Sequence, residues 1–251
     1  MATIALPTVK TAPTKLWRRQ KFLMLGPSGI GKSEFWAQGD KTLFLEFEPR
    51  LDHLSVLKVA VRSWDDFIAS LDLLYKEAQK VEFPYDTVVV DTGDKYYERV
   101  TESVLDWAQD KYKKLIDKGQ SIDAIGDVPE GTGWYRVTTM AMTGLDKLTA
   151  LPAAIVIICH IKEETIKEAG SEYKKATVSL GGQMGTRLLG WSDHTLHVRA
   201  RYVGDTIHRN VRTIPSQLME AKSSGGIVPD GMVWTKDAKL NYTNFRNLFD
   251  G

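Results

Sequence analysis

The sequence predicts an α/β fold in which helices flank a mostly parallel sheet and a C-terminal antiparallel hairpin follows. Short apolar runs alternate with amphipathic segments over most of the chain, an order typical of parallel strands joined by crossover helices. A glycine-rich motif directly follows the first apolar run. Beyond residue 194 the hydrophobic period changes to two, which is typical of a hairpin.

Four apolar runs in the first part of the chain predict strands of the parallel sheet. They span residues 21–25, 41–48, 57–61 and 86–91. Between the last two, Ser63 and Asp66 have the spacing of a capping box, and the helix that follows has one apolar face through Ala78. Another long amphipathic helix follows Asp91 and extends to about Leu115.

The middle of the chain predicts one more helix and strand between two loops. Residues 117–133 are rich in Gly, Asp and Pro and show no period, which indicates a long loop. A helix with apolar positions from Val137 to Leu151 then leads into the buried strand "AAIVIIC". Residues 161–179 are polar and are interpreted as a second loop.

The predicted hairpin turns at Gly204 and Asp205, a two-residue connection. Pairing across this turn gives a mostly apolar face with Leu196, Val198, Ala200, Tyr202, Ile207 and Val211. The other face carries His197, Arg199, Arg201, His208 and Arg212. Because like charges opposite one another destabilise a sheet, this basic face either stays solvated or meets an anion.

Charge is balanced overall but uneven along the chain. The 251 residues include 33 basic and 32 acidic side chains, so net charge indicates no partner. No acid precedes Glu34, whereas six basic residues do, namely Lys10, Lys15, Arg18, Arg19, Lys21 and Lys32. Residues 1–20 therefore form a basic arm that either touches nucleic acid or a neighbouring subunit, or is a solvated tail. Residues 21–251 form a single domain.

Cysteine content and hydropathy narrow the class of protein. Cys159 is the one cysteine, which excludes an intramolecular disulfide and cysteine-based zinc sites. No apolar stretch approaches the length of a membrane helix. We therefore expect a soluble cytoplasmic protein with no membrane partner.

The motif "GPSGIGKS" fits the phosphate-loop pattern G-x-x-x-x-G-K-[ST], between an apolar strand and a helix. Glycines let backbone N–H groups converge on phosphates, Lys32 reaches the β- and γ-phosphates, and Ser33 ligates Mg²⁺. ATP is the expected nucleotide, and the alternative is a plain glycine turn. The expected contacts are Gly26, Pro27, Ser28, Gly29, Ile30, Gly31, Lys32, Ser33 and Glu34.

Three carboxylates stand at predicted strand ends, where open α/β sheets bind ligands. Asp91 ends "TVVVD" and is expected to bind Mg²⁺ or its water shell, the alternative being a helix cap. Glu46 and Glu48 share one face of their strand, and Glu48 is better placed to activate water because it comes later. The alternative is an exposed pair of carboxylates.

Several segments resemble RecA-family recombinases, in the same order. "FLEFEPRLD" resembles the stretch with their catalytic glutamate, matching Glu48, and "YDTVVVDTGDKY" resembles their second acidic strand. The block from "IGDVPEGTGWYRV" to "AAIVIICHIKEE" resembles their first DNA-binding loop, the next helix and the strand ending in a γ-phosphate sensor. "LGGQMGTRLLGWSDHTLHVRA" resembles the segment after their second DNA-binding loop. The match runs from about residue 21 to residue 222.

The resemblance, together with the small size, implies a RecA-like single-strand annealing protein of a bacteriophage, working in the host cytoplasm. Such a protein binds single-stranded DNA, hydrolyses ATP between subunits of a ring or filament, and meets a single-strand DNA-binding protein. His160 takes the sensor position, where RecA has an amide; without the resemblance it is an ordinary strand-end histidine. The residues expected to touch DNA are Lys174 and Lys175 in the second loop, with Trp134 and Tyr135 either stacking on bases or packing on the core.

The resemblance also implies a basic residue that reaches a neighbour's γ-phosphate. Lys222 is the first candidate and Arg209 and Arg212 come next, the alternative being that Lys222 is a solvated loop lysine. Two other functions stay open. A small-molecule kinase would share the phosphate loop and Asp91, and a nucleotide-gated DNA-binding module would show negligible turnover.

Overall fold

The computed structural model describes residues 8, 15–168, 171–234 and 242–249. Most of the predicted basic arm, including Lys10, lies outside the described residues. The domain packing begins before residue 21, because Trp17 is fully buried and its indole N–H donates to the Thr87 hydroxyl at 3.1 Å.

Eleven strands lie within the described residues. They are β1 (Lys21–Leu25), β2 (Thr42–Glu46), β3 (Leu57–Ala60), β4 (Thr87–Asp91), β5 (Ala154–Cys159), β6 (Ile161–Glu168), β7 (Ser171–Val178), β8 (His194–Val203), β9 (Thr206–Arg212), β10 (Lys222–Ser223) and β11 (Met232–Trp234). Nine of these described strands form one sheet in the order β11-β9-β8-β1-β5-β4-β2-β3, with β10 also paired to β8. The strands from β8 to β3 run parallel, as predicted.

Helices cover both faces of this sheet. The described helices are α1 (Lys32–Trp36), α2 (Trp64–Ala78), α3 (Gly93–Lys111), α4 (Lys113–Ile116), α5 (Thr132–Leu148), α6 (Met184–Trp191) and α7 (Tyr242–Arg246). One core packs α2, α3, α5 and α6 against the sheet, and the other packs α1 and α7 with Trp17. The capping box at Ser63 and Asp66 is confirmed. None of the described helices is both long and apolar enough to cross a membrane.

The interpretation of residues 161–179 as a loop is wrong. β6 and β7 pair over their full length as an antiparallel hairpin. Both strands carry lysine and glutamate where buried strands carry apolar residues, so the sequence shows no hydrophobic alternation. Ion pairs across the strands, Lys174 with Glu163 and Lys167 with Glu172, take part in the cross-strand pairing instead.

The segment predicted as a loop over residues 117–133 contains more local structure than expected. Two short 3₁₀ helices cover Ile125–Asp127 and Pro129–Gly131, and α5 begins at Thr132. Ile122, Ile125 and Val128 are buried. Ile122 and Val128 pack with Ala108 near the end of α3, and Ile125 packs into the core that also contains residues of α5.

The predicted hairpin at Gly204 and Asp205 is confirmed as β8 and β9, and Val203 pairs with Thr206 across the turn. Its basic face is not uniform. Arg199 and Arg201 near the tip are exposed, but His197 is fully buried. The expectation that this face is solvated is therefore wrong at His197. Arg212 meets an anion, since its Nε lies 3.0 Å from both Asp230 carboxylate oxygens.

Two histidines of β8 are buried as neutral groups. Burial lowers the pKa of both His194 and His197 to about 4 from an ordinary value of 6.5. His194 Nε2 lies 3.1 Å from Gln20 Oε1, and His197 Nδ1 lies 3.3 Å from the Glu220 carbonyl. A proton on the second ring nitrogen would have no acceptor, because His194 Nδ1 and His197 Nε2 are buried without a partner in the described part of the chain.

We expect the free energy of unfolding to fall as pH drops from about 6.5 to about 4. As pH falls below 6.5, the histidines of the unfolded chain bind protons before those of the folded chain do. The stabilisation present above pH 6.5 is therefore lost, by up to roughly 3 kcal/mol per histidine. Urea unfolding between pH 7.5 and 5 measures this slope. His194→Gln and His197→Asn each keep a nitrogen donor near the observed position and should flatten it; an unchanged slope in the double variant would contradict the assignment.

Candidate active site

The phosphate loop connects β1 to α1 at the carboxyl edge of the parallel strands. Gly29 and Gly31 have φ of +72° and +94°, in the left-handed region that favours glycine. At Gly31 an added Cβ would also lie 2.9 Å from Arg209 Nε. The motif therefore forms the backbone turn that its glycines predict.

Lys32 is buried at the base of this loop. Its Nζ donates to the carbonyls of Gly26 and Pro27, at 2.8 Å each. Burial lowers the pKa of Lys32, while the nearby Asp91 and Asp94 carboxylates oppose that shift. The ammonium thus sits inside the loop, where an anionic phosphate would be its natural counter-ion.

Ser33 and Asp91 meet across the cleft, with the Ser33 hydroxyl donating to Asp91 Oδ2 at 2.6 Å. Burial raises the pKa of the Asp91 carboxyl, although Ser33 and Lys32 favour its charged form. A buried carboxylate beside a hydroxyl fits Mg²⁺, which uses few protein ligands and completes its shell with water and substrate phosphates. Among the described residues there is no cluster of three His, Cys, Asp or Glu side chains for a metal held by protein alone.

The two candidate glutamates have different surroundings. Glu46 ends β2 and is 3% exposed; its carboxylate accepts from Lys58 at 3.0 Å and Arg62 at 2.9 Å. Burial alone would raise the pKa of Glu46, but these hydrogen bonds and one from the Leu51 N–H lower it. Glu46 is therefore a structural carboxylate.

Glu48 lies two residues beyond the end of β2, although the prediction placed it inside the strand. Its side chain lines the same cleft as Lys32, Ser33 and Asp91. The carboxylate pairs with Arg50 Nε at 2.8 Å, and the Glu48 side chain keeps 17% of its surface exposed. Of the two glutamates, Glu48 is the one that can reach water in the cleft.

His160 also lines this cleft, immediately after β5. Its Nδ1 lies 3.2 Å from Asp94 Oδ2, and its backbone N–H donates to the same oxygen at 2.9 Å. The other Asp94 oxygen accepts from the Ser179 hydroxyl at the end of β7. Sequence reasoning missed Asp94, which shows no motif beyond its place in the first turn of α3.

The three candidates for a basic residue acting in trans have partners within the chain. Lys222 Nζ donates to the carbonyl of Ser192 at 2.5 Å, near the end of α6. Since β10 pairs with the first residues of β8, Lys222 lies at the opposite edge of the sheet from the phosphate loop. Arg212 binds Asp230, and Arg209 Nε donates to the Ile30 carbonyl at 2.5 Å.

The cleft has a volume of ≈ 390 Å³, within the range of small-molecule sites. It brings together nine of the predicted residues, namely Ser28, Gly29, Gly31, Lys32, Ser33, Glu34, Glu48, Asp91 and His160. Arg50 and His53 line it as well and were not predicted. A phosphate-binding loop, a candidate Mg²⁺ pair and a carboxylate open to water are the groups that phosphoanhydride hydrolysis needs.

Comparison with known proteins agrees with this arrangement. Residues 18–224 match the AAA_24 family, described as an AAA domain. The chain belongs to this family. An AAA domain is a P-loop ATPase domain, so the family supports nucleotide binding and hydrolysis at the cleft.

The AAA domain also has a curated relative. The SPbeta prophage-derived uncharacterized protein YorG of Bacillus subtilis (strain 168) is 26% identical over 152 residues. The match covers 60% of this chain and 42% of that protein. The chain thus corresponds to less than half of the relative's length.

Proposed function

We propose that this AAA domain hydrolyses ATP with Mg²⁺ and is a RecA-like DNA recombination protein. In this proposal it binds single-stranded DNA and promotes annealing or strand exchange. The observation that carries the ATPase is the Ser33–Asp91 contact of 2.6 Å in a cleft shared with Lys32 and Glu48. The DNA role is supported by the order of RecA-like segments and by a basic, aromatic groove between α3 and α5.

Each group of the cleft has a role in the proposed hydrolysis. Lys32 and the loop N–H groups hold the β- and γ-phosphates, and His160 contacts the γ-phosphate. Ser33 and Asp91 would hold Mg²⁺, which when bound neutralises charge on the phosphates. Glu48 accepts a proton as water oxygen attacks the γ-phosphorus and the bond to the β-phosphate oxygen breaks.

The lysines of the β6–β7 hairpin are poorly placed to bind DNA phosphates. Lys175 pairs with Glu220 at 2.5 Å and Lys174 with Glu163 at 3.2 Å. The other two lysines of the hairpin also have glutamate partners, in the pairs Lys162–Glu164 and Lys167–Glu172. Each lysine charge is thus offset locally, which weakens its attraction for a phosphate.

A groove between α3 and α5 has the chemistry that the hairpin lacks. This α3–α5 groove is lined by Trp107, Lys111, Tyr135, Arg136 and Met140, among others, and its lining includes one acid, Glu130. The Arg136 guanidinium lies 3.6 Å from the Trp107 ring centre, and the Lys111 ammonium lies 4.8 Å from it. Neither cation pairs with a carboxylate within the described ranges.

Two exposed aromatic rings lie at or beside this groove: Tyr135 lines it, and Trp134 precedes Tyr135 on α5 but is outside the lining. Tyr135 is 70% exposed and the adjacent Trp134 is 52% exposed, so neither packs into the core. Bases can stack on such rings while Lys111 and Arg136 bind phosphates. We propose that single-stranded DNA runs along the α3–α5 groove.

Binding of a labelled oligothymidine should weaken steeply with salt. We expect Lys111→Ala/Arg136→Ala to reduce affinity at every salt concentration and to lower the salt slope by about two, one per lost phosphate contact. Tyr135→Ala should weaken binding by about 10-fold, because a stacked base contributes on the order of 1–3 kcal/mol. Fluorescence anisotropy at several salt concentrations measures both effects.

Two variants serve as comparisons in this titration. Lys113→Ala/Lys114→Ala removes the same charge from exposed positions on α4 outside the groove and should bind nearly as the parent does. Lys174→Ala/Lys175→Ala tests the hairpin directly. A flat salt dependence would argue against phosphate contacts altogether, and a larger loss in the hairpin variant would move the DNA site there.

Turnover with and without single-stranded DNA tests the function as a whole. We expect ATP hydrolysis that DNA stimulates, with inorganic phosphate as the product. A phosphorylated acceptor would instead show a kinase, and DNA binding without turnover would show a nucleotide-gated module. The prophage origin of the relative supports a bacteriophage setting. The host cytoplasm, a homo-oligomer and a single-strand DNA-binding protein as partner are proposed from the RecA-like resemblance alone. The trans role of Lys222 stays a prediction.

A further inference from the structure

The β8–β9 hairpin touches the phosphate loop at both of its ends. At the start of the loop, a Cβ on Gly26 would lie 3.0 Å from the Val198 carbonyl oxygen. At the far end, Arg209 Nε donates to the Ile30 carbonyl at 2.5 Å. The loop is therefore supported from outside by two strands that follow it by about 170 residues.

Arg209 belongs to the face of the hairpin that packs on the loop. It pairs with Ala200, next to the pair of Val198 and Val211, and both valines are buried. The exposed arginines Arg199 and Arg201 lie on the opposite face. Arg209 is half-buried and forms no ion pair with a described carboxylate, so its described partner is the loop backbone.

The contact with Ile30 fixes a peptide plane of the loop. In a trans peptide the C=O and the following N–H point in opposite directions. Gly31 lines the cleft and Arg209 does not, so the Ile30 carbonyl bound by Arg209 is turned away from the cleft and the Gly31 N–H toward it. Inward N–H groups are what a phosphate loop offers to a nucleotide.

We propose that Arg209 is a positioning residue that acts in cis, holding the Ile30–Gly31 peptide so that the Gly31 N–H is ready for phosphate. Its positive charge beside the loop adds to the attraction. This role is distinct from a charge supplied to a neighbouring subunit, since the guanidinium is engaged with its own loop. The inference rests on the proposed nucleotide binding.

Binding of a fluorescent ATP analogue tests the proposal. Arg209→Ala should lower affinity by about 10-fold, the scale of one lost charge-assisted hydrogen bond. Arg209→Lys should lose less because it keeps the charge, and Arg209→Gln, which keeps an N–H donor and most of the side-chain length, provides a folded alternative. Arg201→Ala on the other face is the matched control and should bind as the parent does. The thermal unfolding midpoint without nucleotide should change little.

A mixing experiment separates cis from trans action. Arg209→Ala protein mixed with Lys32→Ala protein should turn over ATP no faster than the two alone, because no chain then has both residues. Recovery of turnover on mixing would overturn the cis role, and so would parent-like affinity in both Arg209→Ala and Arg209→Gln. Failure of the parent protein itself to bind nucleotide would instead refute the proposed function.

Discussion

Replacement of Lys32 by alanine is expected to abolish measurable ATP binding. The Lys32 ammonium is held inside the phosphate loop by the Gly26 and Pro27 carbonyls, and a bound nucleotide would exchange those contacts for phosphate oxygens. Losing hydrogen bonds between charged partners in a desolvated site corresponds to about 100-fold or more in affinity. Equilibrium titration with a fluorescent ATP analogue measures the loss.

The same substitution should leave the fold intact. Burial lowers the pKa of Lys32, which means that keeping this charge inside the protein costs free energy in the absence of an anion. The Lys32→Ala protein should thus unfold at the same temperature as the parent or higher. ATP should raise the melting temperature of the parent protein but not that of Lys32→Ala. Lys41→Ala, which removes an exposed lysine, is the control, and an equal ATP-dependent rise in Lys32→Ala would refute the assignment.

The parallel part of the sheet could be predicted because its strands are buried on both faces. The strand β4 has five buried residues in a row and β5 has six, so each appears as a continuous apolar run. The phosphate loop could be predicted for another reason. Its glycines, lysine and serine have a fixed spacing imposed by the backbone turn, and that spacing is visible without any tertiary information.

The β6–β7 hairpin could not be predicted in this way. Its first strand is exposed along most of its length, so no core selects an apolar face. Its pairing rests on backbone hydrogen bonds and on lysine–glutamate pairs between the strands. In a sequence such a pattern has the composition of a polar loop.

In the candidate site, too, the features that depend on local sequence could be predicted and those that depend on tertiary contacts could not. Alternation placed Glu46 and Glu48 on one face, and the later position of Glu48 and the RecA-like resemblance favoured it, but nothing in the sequence showed what Glu46 does. The distinction comes from Lys58 and Arg62, which reach Glu46 from the segment around β3. The contacts of Arg209 and Asp94 could not be predicted for the same reason. Each residue meets its partner only when distant segments of the chain pack together.

Glu48→Gln should bind ATP with nearly unchanged affinity and lose turnover by about 100-fold or more, the scale of a general base. The amide keeps the size of the carboxylate but cannot accept the proton of an attacking water. The lost ion pair involves Arg50, whose side chain is 65% exposed, so stability should change little. Steady-state hydrolysis and analogue binding, measured on the same preparation, separate turnover from affinity.

Glu46→Gln, two residues away, is the matched control. We expect it to lower stability and to leave turnover unchanged, the opposite of Glu48→Gln. The buried Glu46 carboxylate accepts hydrogen bonds from Lys58, Arg62 and the Leu51 N–H. A neutral amide there would leave Arg62 without its carboxylate and Lys58 with Asp52 alone, and destabilise the fold by about 1–3 kcal/mol. Turnover per folded molecule should stay near that of the parent, because Glu46 does not line the cleft. Normal hydrolysis by Glu48→Gln would sink the base assignment, and Glu46 could not replace it, since its carboxylate is committed to holding β3 against the end of β2.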